Sequence, residues 1–421
     1  MENQNTHPEQ PMGRRPNHDE AMSPAERRRA RLRDATLCGF GALSAMGMAA
    51  VAPALPALAE HFADEPDIAL RARLVLAMPT LLMALASPLV GAVADRFGRR
   101  NLLIFGALLY LVAGVVPWWL DSLNTILASR VVLGLANAIL FTVAAALLVD
   151  FHTGPARNRM MAIYGVSGAG GGIGFVLAGG ALAEFGWREP FLIYFVVLLL
   201  LPSLLAVVRD PVRSGDDAPA PADKSAPRMP WLALFGIYAV IALTGGVFLQ
   251  VPLNLPFMLV EMGGATPALV GVAIAWAMAL QSVGGFAFPW LRRRFGSAVI
   301  YGGIAGGLAA GYALLSVADN VVMVFVALAL FGLGMSQMFP NSSTWLLGIT
   351  PGRVRARVLG GLTTSIYSGQ LLSPFIAVPV MAALGLQATF AIIAMLMASV
   401  MVVVPVTVAL HRRRQPGRQV G

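Results

Sequence analysis

Charged residues are scarce in this chain of 421 residues: only 12% are Asp, Glu, Lys or Arg, whereas 57% are hydrophobic. Soluble proteins carry about 25% charged and about 45–50% apolar residues. The 30 basic and 21 acidic side chains are too few to cover a water-exposed surface, because many of them crowd into short clusters. The composition therefore excludes a soluble protein and predicts an integral membrane protein with short loops.

Cysteine and histidine are also rare. The single cysteine, Cys38, excludes a disulfide framework and a thiolate metal site. The five histidines lack the spacing of a metal site, so we expect no metal and no cofactor. They are His7, His18, His61, His152 and His411.

Signatures of membrane enzymes and sensors are missing as well. No acidic residue lies in the middle of an apolar run, and we find no H-E-x-x-H helix, Ser-His pair or paired intramembrane aspartates. The chain also has no long loop of the kind that an output domain needs. A polytopic enzyme and a membrane sensor are therefore disfavoured, and we expect a protein that is not an enzyme.

Apolar runs follow one another along the chain, and each is long enough for a helical membrane crossing, which takes about 20 residues. The last run holds two helices with a turn at Leu384-Gly385-Leu386. The sequence therefore predicts an all-α integral membrane protein with twelve transmembrane helices. The runs are 35–60, 74–94, 101–120, 131–149, 160–183, 190–208, 231–260, 262–291, 295–318, 320–352 and 358–410.

The loops alternate in charge. Of the 30 Lys and Arg residues, 26 lie in the two tails, the middle linker and the loops on one side of the predicted membrane. Because cytoplasmic loops collect Lys and Arg, we expect both termini in the cytoplasm of a bacterial cell with the chain in its inner membrane. A secretory signal peptide is the alternative for the first run, since Ala57-Leu-Ala59 resembles a cleavage site.

The chain divides into two similar halves. Phe97-Gly98 recurs as Phe295-Gly296, Arg157 as Arg355 and Arg159 as Arg357, all at an offset of 198 residues. This repeat predicts two pseudo-symmetric six-helix bundles, and it counts against cleavage of the first segment. The expected parts are a cytoplasmic basic tail at 1–34, bundles at 35–208 and 231–410, a Pro- and Ala-rich cytoplasmic linker at 209–230 and a second basic tail at 411–421.

The loop between the second and third runs carries the most specific motif. Residues 91–100 read G-A-V-A-D-R-F-G-R-R, which resembles the G-x-x-x-D-R-x-G-R-R signature of the major facilitator superfamily. The resemblance implies that Asp95, Arg99 and Asp150 form a charge relay in a cytoplasmic gate, with the helix after Arg357 as partner. The full set of gate residues is Gly91, Asp95, Arg96, Gly98, Arg99, Arg100 and Asp150.

Another interpretation of this loop stays open. A basic turn that only sets the topology is the alternative explanation of the motif. The second-half counterpart has Arg293 where Asp95 stands, so we expect no matching gate there.

Two further segments resemble drug:proton antiporters of the same superfamily. Arg130 and Gly134 match an R-x-x-x-G core in the fourth helix, although Leu133 stands where glutamine is usual. Snorkelling of Arg130 to the membrane surface is the alternative. Gly170, Gly174 and Gly179 resemble a glycine motif of the fifth helix, with Phe175 in the place of a proline, and generic helix packing explains them equally well.

Polar residues within the apolar runs are candidates for a substrate site, because such groups face protein or a cavity rather than lipid. Arg130 is the sole charged residue that we expect within a membrane span rather than at its end. It favours a neutral or anionic amphipathic substrate over a multiply cationic one. The candidate substrate residues are Arg130, Asn137, Gln250, Asn254, Gln281, Gln337, Asn341, Tyr367 and Gln370.

The predicted function is alternating-access secondary transport, with efflux of small amphipathic compounds such as drugs. The resemblance implies proton antiport, but arginine does not titrate in the useful range and only residues at span ends remain as proton carriers. Import or facilitated transport of a small organic solute is the alternative. Expected partners are the solute, the proton and the lipid bilayer, without nucleic acid, and we expect a monomer. The span-end candidates are Glu60, His61, Asp150, Glu184 and Glu261.

Overall fold

The computed structural model describes residues 23–210, 231–350 and 354–414. These ranges contain helices and no strand. The helices form twelve successive passes through the molecule, six before and six after residues 211–230, so the all-α prediction is confirmed. Most of the predicted linker, the outer parts of both predicted tails and the loop segment 351–353 lie outside the described residues.

The first half contains passes 1 to 6, and several of them consist of two consecutive helical segments. Pass 1 is α1 (Pro24–Ala49), a 3-10 turn (Ala52–Ala54) and α2 (Leu55–His61); pass 2 is α3 (Ile68–Ala77) and α4 (Pro79–Phe97); pass 3 is α5 (Arg99–Val115) with a 3-10 turn (Val116–Trp119); pass 4 is α6 (Leu123–Phe151); pass 5 is α7 (Gly154–Ala183); and pass 6 is a 3-10 segment (Glu189–Val196) followed by α8 (Val197–Val207).

The second half contains passes 7 to 12. Pass 7 is α9 (Trp231–Glu261); pass 8 is α10 (Pro267–Gly285) and α11 (Phe288–Arg294); pass 9 is α12 (Ser297–Ser316); pass 10 is α13 (Val321–Met335) and α14 (Met338–Ile349); pass 11 is α15 (Arg355–Leu384); and pass 12 is α16 (Leu386–Arg414). The predicted turn between the last two helices is confirmed, and Gly385 allows it with a φ of +85°.

Eleven of the twelve passes contain a helical stretch that is long and apolar enough to cross a membrane. Pass 1 is the exception among the described helices, for two reasons that its sequence makes clear. Its first turns carry a cluster of arginines between residues 27 and 33, and its apolar part is divided by the 3-10 turn around Pro53. It nevertheless packs along passes 4 and 5 as a member of the first bundle.

Pass 1 begins earlier than the predicted residue 35 because Ser23 and Glu26 form a capping box. The backbone N–H of Ser23 donates to the Glu26 carboxylate at 2.8 Å, and the Glu26 N–H donates to the Ser23 hydroxyl at 3.3 Å. The backbone N–H and the hydroxyl of Ser23 both donate to the Glu26 carboxylate and lower the pKa of Glu26, since they stabilise its charged form. The inner part of the predicted basic tail is therefore helical.

Pass 2 also begins earlier than predicted. The expected run starts at residue 74, whereas α3 starts at Ile68 and includes Arg71 and Arg73. The sequence predicts a loop for these two arginines, because clustered charges usually mark solvent. The earlier start makes them helix residues that contact other passes.

The two halves share a hydrogen bond between corresponding passes as well as the number of helices. In pass 3 the Tyr110 hydroxyl donates to the carbonyl of Leu43 in pass 1 at 2.7 Å. In pass 9 the Tyr312 hydroxyl donates to the carbonyl of Val247 in pass 7 at 2.5 Å. The same tyrosine-to-backbone bond thus joins the third and first passes of each half, as a duplicated bundle requires.

Contacts between the halves are concentrated in two helix pairs. Passes 5 and 8 pack along each other, and so do passes 2 and 11. We call the end of the molecule that carries Arg96, Arg157 and Arg293 the basic face, and the end that carries His61 and Glu184 the far face. Each pass runs from one of these faces to the other.

Candidate functional site

The predicted gate motif lies at the basic face, where pass 2 turns into pass 3. Gly98 makes the turn with a φ of +88°, a left-handed conformation that favours glycine. Arg100 donates its backbone N–H to the carboxylate of Asp210 at 2.8 Å and its guanidinium to the carbonyl of Leu205 at 3.0 Å. These bonds connect the motif to the end of pass 6. The contact with Asp210 is not expected from the sequence, because the residues around it have the composition of a linker.

Arg99 joins two carboxylates of the first half. Its guanidinium forms an ion pair with Asp150 at the end of pass 4 and lies 3.4 Å from the carboxylate of Asp95 on pass 2. It also donates to the carbonyl of Ala146 at 3.3 Å. The structure thus brings together the three residues of the implied charge relay, whose gating role stays a prediction. Arg96 is exposed beside them.

Gly91 faces open space in this conformation. A Cβ atom added there would meet no atom within 4 Å. Passes 2 and 11 do touch deeper in the molecule, where the Thr364 hydroxyl donates to the carbonyl of Ala84 at 3.2 Å. The two helices therefore meet near mid-height, and they do not pack against each other at the glycine of the motif.

A cavity of about 330 Å³ lies between the two halves. Of the nine candidate substrate residues, Gln281, Tyr367 and Gln370 line it. Gln370 is 4% exposed, and its Oε1 atom has no hydrogen-bond partner among the described residues. The remaining lining is formed by Ala45, Phe141, Phe248, Leu249, Val251, Pro252, Ile274, Ala277, Met278, Phe331, Phe339, Thr363 and Ile366. The cavity is thus apolar and aromatic with a few amide and hydroxyl groups.

Arg130 lies away from this cavity. It is 1% exposed, and its Nη2 donates to the carbonyls of Ala113 at 2.5 Å and Gly114 at 3.1 Å in pass 3. Its guanidinium lies 4.9 Å from the ring of Phe191 and 5.5 Å from that of Tyr194. This side chain neither reaches the membrane surface nor lines the central cavity. It joins passes 3, 4 and 6 instead.

Three amide candidates join helices within one half. Asn137 donates to the carbonyl of Ser44 at 3.1 Å, and Asn341 donates to that of Ser297 at 3.0 Å. Gln337 donates to the carbonyl of Gly284 at 2.6 Å. These contacts connect neighbouring passes, and none of the three amides is among the residues that line the central cavity.

The glycine motif of pass 5 is shifted from the predicted contact residues. Gly170 and Gly174 have no atom within 4 Å of an added Cβ, whereas Gly179 lies directly against the backbone carbonyl of Ala50. Gly171 and Gly180 make further close contacts, to pass 1 and pass 8, and Gly172 lies against the side chain of Met278. Because neighbouring positions on a helix point about 100° apart, a shift of one residue selects a different face.

Arg73 is an embedded arginine that the sequence reasoning missed. It lies in pass 2 near the far face and is 7% exposed. Its Nε donates to Oδ1 of Asn254 in pass 7 at 2.7 Å, so it connects the two halves. Arg130 is therefore not the sole embedded charge, which corrects one basis of the predicted substrate preference. An unbroken helical pattern from residue 68 was the signal that could have found it.

The proton-carrier candidates lie at the two faces. Asp150 is paired with Arg99, and Glu184 accepts a hydrogen bond at 2.9 Å from the backbone N–H of Ala268 at the start of pass 8. A pair that the sequence reasoning did not anticipate joins Asp34 to His152 at 3.2 Å near the basic face. In the described part of the chain, no cluster of His, Cys, Asp and Glu has the form of a metal site.

Comparison with known proteins places these features in a family. The model of the Major Facilitator Superfamily matches residues 37–300 and 263–420. The tetracycline resistance protein, class C, of Escherichia coli is 30% identical over 320 residues, which are 71% of this chain and 78% of that protein. The multidrug resistance protein MdtH of Aeromonas hydrophila is 26% identical over 306 residues, 67% of this chain and 73% of that protein.

Solved structures share the fold. A bacterial homologue of the human lysosomal transporter Spinster, in an inward-facing and occupied conformation, superposes with a TM-score of 0.70 at 16% identity, over 93% of this chain and 97% of that one. The human organic anion transporter MFSD10 superposes with a TM-score of 0.63 at 17% identity, over 88% and 98%. At these identities the likeness concerns the fold alone.

The contacts of Arg130 predict a structural effect of its removal. Arg130→Ala leaves the carbonyls of Ala113 and Gly114 without their donor, and a buried acceptor that loses its partner costs about 1–3 kcal/mol. We expect a lower midpoint of thermal unfolding for the detergent-purified variant. The control Gln281→Ala, in the cavity wall, should unfold near the wild-type temperature. A normal midpoint for Arg130→Ala with altered ligand binding would instead support a direct binding role.

Proposed function

The chain belongs to the Major Facilitator Superfamily of membrane transporters, and from this premise we propose that it exports small uncharged amphipathic compounds from the bacterial cytoplasm in exchange for protons. A transporter of this family works by alternating access, in which two bundles rock about a central site. The observation that carries the proposal is the cavity between the halves, whose wall contains no charged side chain among its described residues.

The chemistry of the cavity wall favours an aromatic or otherwise apolar solute. Four phenylalanines, Tyr367 and Met278 supply apolar surface that adapts to different shapes. Gln281, Gln370 and Thr363 supply a few hydrogen-bonding groups that orient a ligand. The volume of about 330 Å³ falls in the range of about 300–1,000 Å³ that is typical of small-molecule sites.

The cavity wall has no charged side chain among its described residues, and this favours an uncharged substrate. A charged solute would have to give up its hydration without an ion-pair partner, which is costly in an apolar site. Arg130, which favours anions on sequence grounds, lies away from the cavity. We therefore place neutral amphipathic compounds before anionic ones.

Two observations support loading from the basic face. That face carries most of the arginines, which supports a cytoplasmic location for it by the positive-inside rule. A Cβ atom at Gly91 on that face would meet no atom within 4 Å, whereas Arg73 and Asn254 join the halves at the far face. Efflux also agrees with the names of the relatives, a tetracycline resistance protein and a multidrug resistance protein.

The proposal is tested with purified protein in liposomes under an imposed pH gradient. Neutral, anionic and cationic aromatic probes of similar size are compared, with empty liposomes as the control. We expect the gradient to drive the neutral probe against its concentration and to be consumed as the probe moves. Equal rates with and without a gradient would indicate a facilitator, and probe moving in the same direction as protons would indicate an importer.

The cavity predicts a role for Gln370 in substrate binding. Gln370→Leu keeps the size of the side chain and removes a hydrogen bond to the solute, a loss of about 0.5–1.5 kcal/mol. We expect the apparent KM to rise by about twofold to tenfold with little change in the maximal rate. Gln337→Leu is the matched control, because Gln337 bonds Gly284 outside the cavity. A normal KM for Gln370→Leu would remove this residue from the site.

Because no atom packs against Gly91 in this structure, we expect substitutions in the gate motif to impair closure of the gate, and hence transport, without disturbing this conformation. Asp95→Asn weakens the charge relay, and Gly91→Leu fills the surface on which pass 11 would close. We expect both variants to insert at normal levels and to lose transport. Gly236→Leu is the control, because Gly236 also faces open space but lies outside the motif. Normal transport by Asp95→Asn and Gly91→Leu would contradict the gate.

A further inference from the structure

Arg73 in pass 2 joins the two halves near the far face through a hydrogen bond between its side chain and that of Asn254 in pass 7. We propose that Arg73, Asn254 and Gln250 are the outer latch of this transporter, and that the strength of this latch sets how readily the cavity opens to the outside. The proposal concerns the opening of the cavity and not the identity of the substrate. It rests on the proposed function only because that function gives the far face as the side that faces the outside of the cell. Arg73 acts in it as a positioning residue, not as a ligand of the solute.

The latch is a continuous and buried chain of hydrogen bonds. Arg73 Nε donates to Asn254 Oδ1 at 2.7 Å, and Asn254 Nδ2 donates to Gln250 Oε1 at 2.7 Å and to its backbone carbonyl at 3.0 Å. The three residues are 7%, 0% and 3% exposed. Their mutual bonds replace water, so the far face is sealed here by defined polar contacts.

Most partners of Arg73 belong to the opposite half. Its guanidinium lies 4.3 Å from the ring of Phe257 in pass 7, and its Nη2 lies 3.7 Å from the sulfur of Met381 in pass 11. Only the carbonyl of Ala69, at 2.6 Å, comes from its own half. Rocking of the halves at the far face would therefore remove Asn254, Phe257 and Met381 from Arg73 together.

The partner of the guanidinium is an amide and not a carboxylate. Among the described residues, no carboxylate forms an ion pair with Arg73, and Glu261 attracts it only from a distance. A buried cation held by neutral groups recovers only part of its lost hydration. Opening of the far face would return Arg73 to water and restore its hydration. The latch therefore stabilises the closed state only moderately relative to the open state.

Pass 7 is weakened where it carries the latch. Pro252 and Pro256 interrupt the backbone hydrogen bonds of α9 on both sides of Asn254. Gln250 lies between Leu249 and Val251, which line the central cavity. The latch is thus adjacent to the cavity wall on a helix that bends at low cost, which places it to respond to what the cavity contains.

Arg71 provides a matched control within the same helix. It lies two residues from Arg73, but its Nη1 bonds Glu65 at 2.6 Å and its Nη2 bonds Asn124 at 2.5 Å, both in the first half. Replacing Arg71 removes the same charge from the same face without touching the second half. Any effect of net charge alone would appear in both arginine variants.

The test measures access to the cavity from outside. The single native cysteine is removed by Cys38→Ser, and Ala45→Cys introduces one thiol in the cavity wall. Cells are treated with a membrane-impermeant thiol reagent, and the labelling rate is compared among latch variants. We expect Arg73→Gln to raise the rate by about tenfold or more, the effect of losing a hydrogen bond to a charged group. Asn254→Asp, which creates an ion pair, should lower it, and Arg71→Gln should leave it unchanged.

The opposite signs distinguish a latch from general damage. Labelling that rises in both Arg73→Gln and Asn254→Asp, or that rises equally in Arg71→Gln, would overturn the proposal, as would no change in any variant. If Arg73→Gln fails to insert, Asn254→Ala tests the same bond from the second half with the same expected rise. Asn254→Asp should also lower the maximal transport rate while leaving the apparent KM unchanged. Because the labelling measurement does not depend on transport, the latch proposal and the export proposal can be contradicted independently of each other.

Discussion

Hydrocarbon offers no hydrogen-bond partner, and this constraint governs where every polar group of the chain lies. A polar side chain inside a pass must be bonded by protein or must line a cavity. Arg130 illustrates the first outcome, since two carbonyls of pass 3 and two aromatic rings surround it. Gln370 illustrates the second, since it lines the cavity and its Oε1 is unbonded by the described residues. Because Asn137, Gln337 and Asn341 also have an unbonded amide oxygen, the place of Gln370 in the cavity wall is what makes it the candidate binding group.

The constraint also explains why polar side chains tie the passes of each half to one another. Tyr110, Asn137 and Arg130 bind passes of the first half together, and Tyr312 and Asn341 do the same in the second. Polar contacts between the halves are few and lie at particular heights, such as Thr364 with Ala84 near the middle and Arg73 with Asn254 near the far face. The bonds named for each half lie within it, although the amide oxygens of Asn137 and Asn341 have no partner among the described residues.

The two buried arginines of the described passes, Arg130 and Arg73, show that an embedded charge has more than one use. Arg130 is bonded entirely within the first half, whereas Arg73 is bonded mainly to the second. Neither lines the central cavity, so its wall is left to aromatic rings, Met278 and a few amides. Such a wall suits a solute whose shape varies and whose charge is low.

The sequence by itself determined the helical class, the membrane location, the duplication and the position of the signature motif, because these depend on composition and on local spacing. Runs of apolar residues and the side on which arginines collect are visible without coordinates. The tertiary structure decided which polar residues meet: it placed Gln281, Tyr367 and Gln370 at the cavity and Arg130 elsewhere, and it moved Arg73 from a predicted loop into a helix beside Asn254. Those outcomes depend on the rotation of each helix about its axis and on the exact residue at which it begins. Both are set by packing against distant segments, and hydropathy carries no record of them.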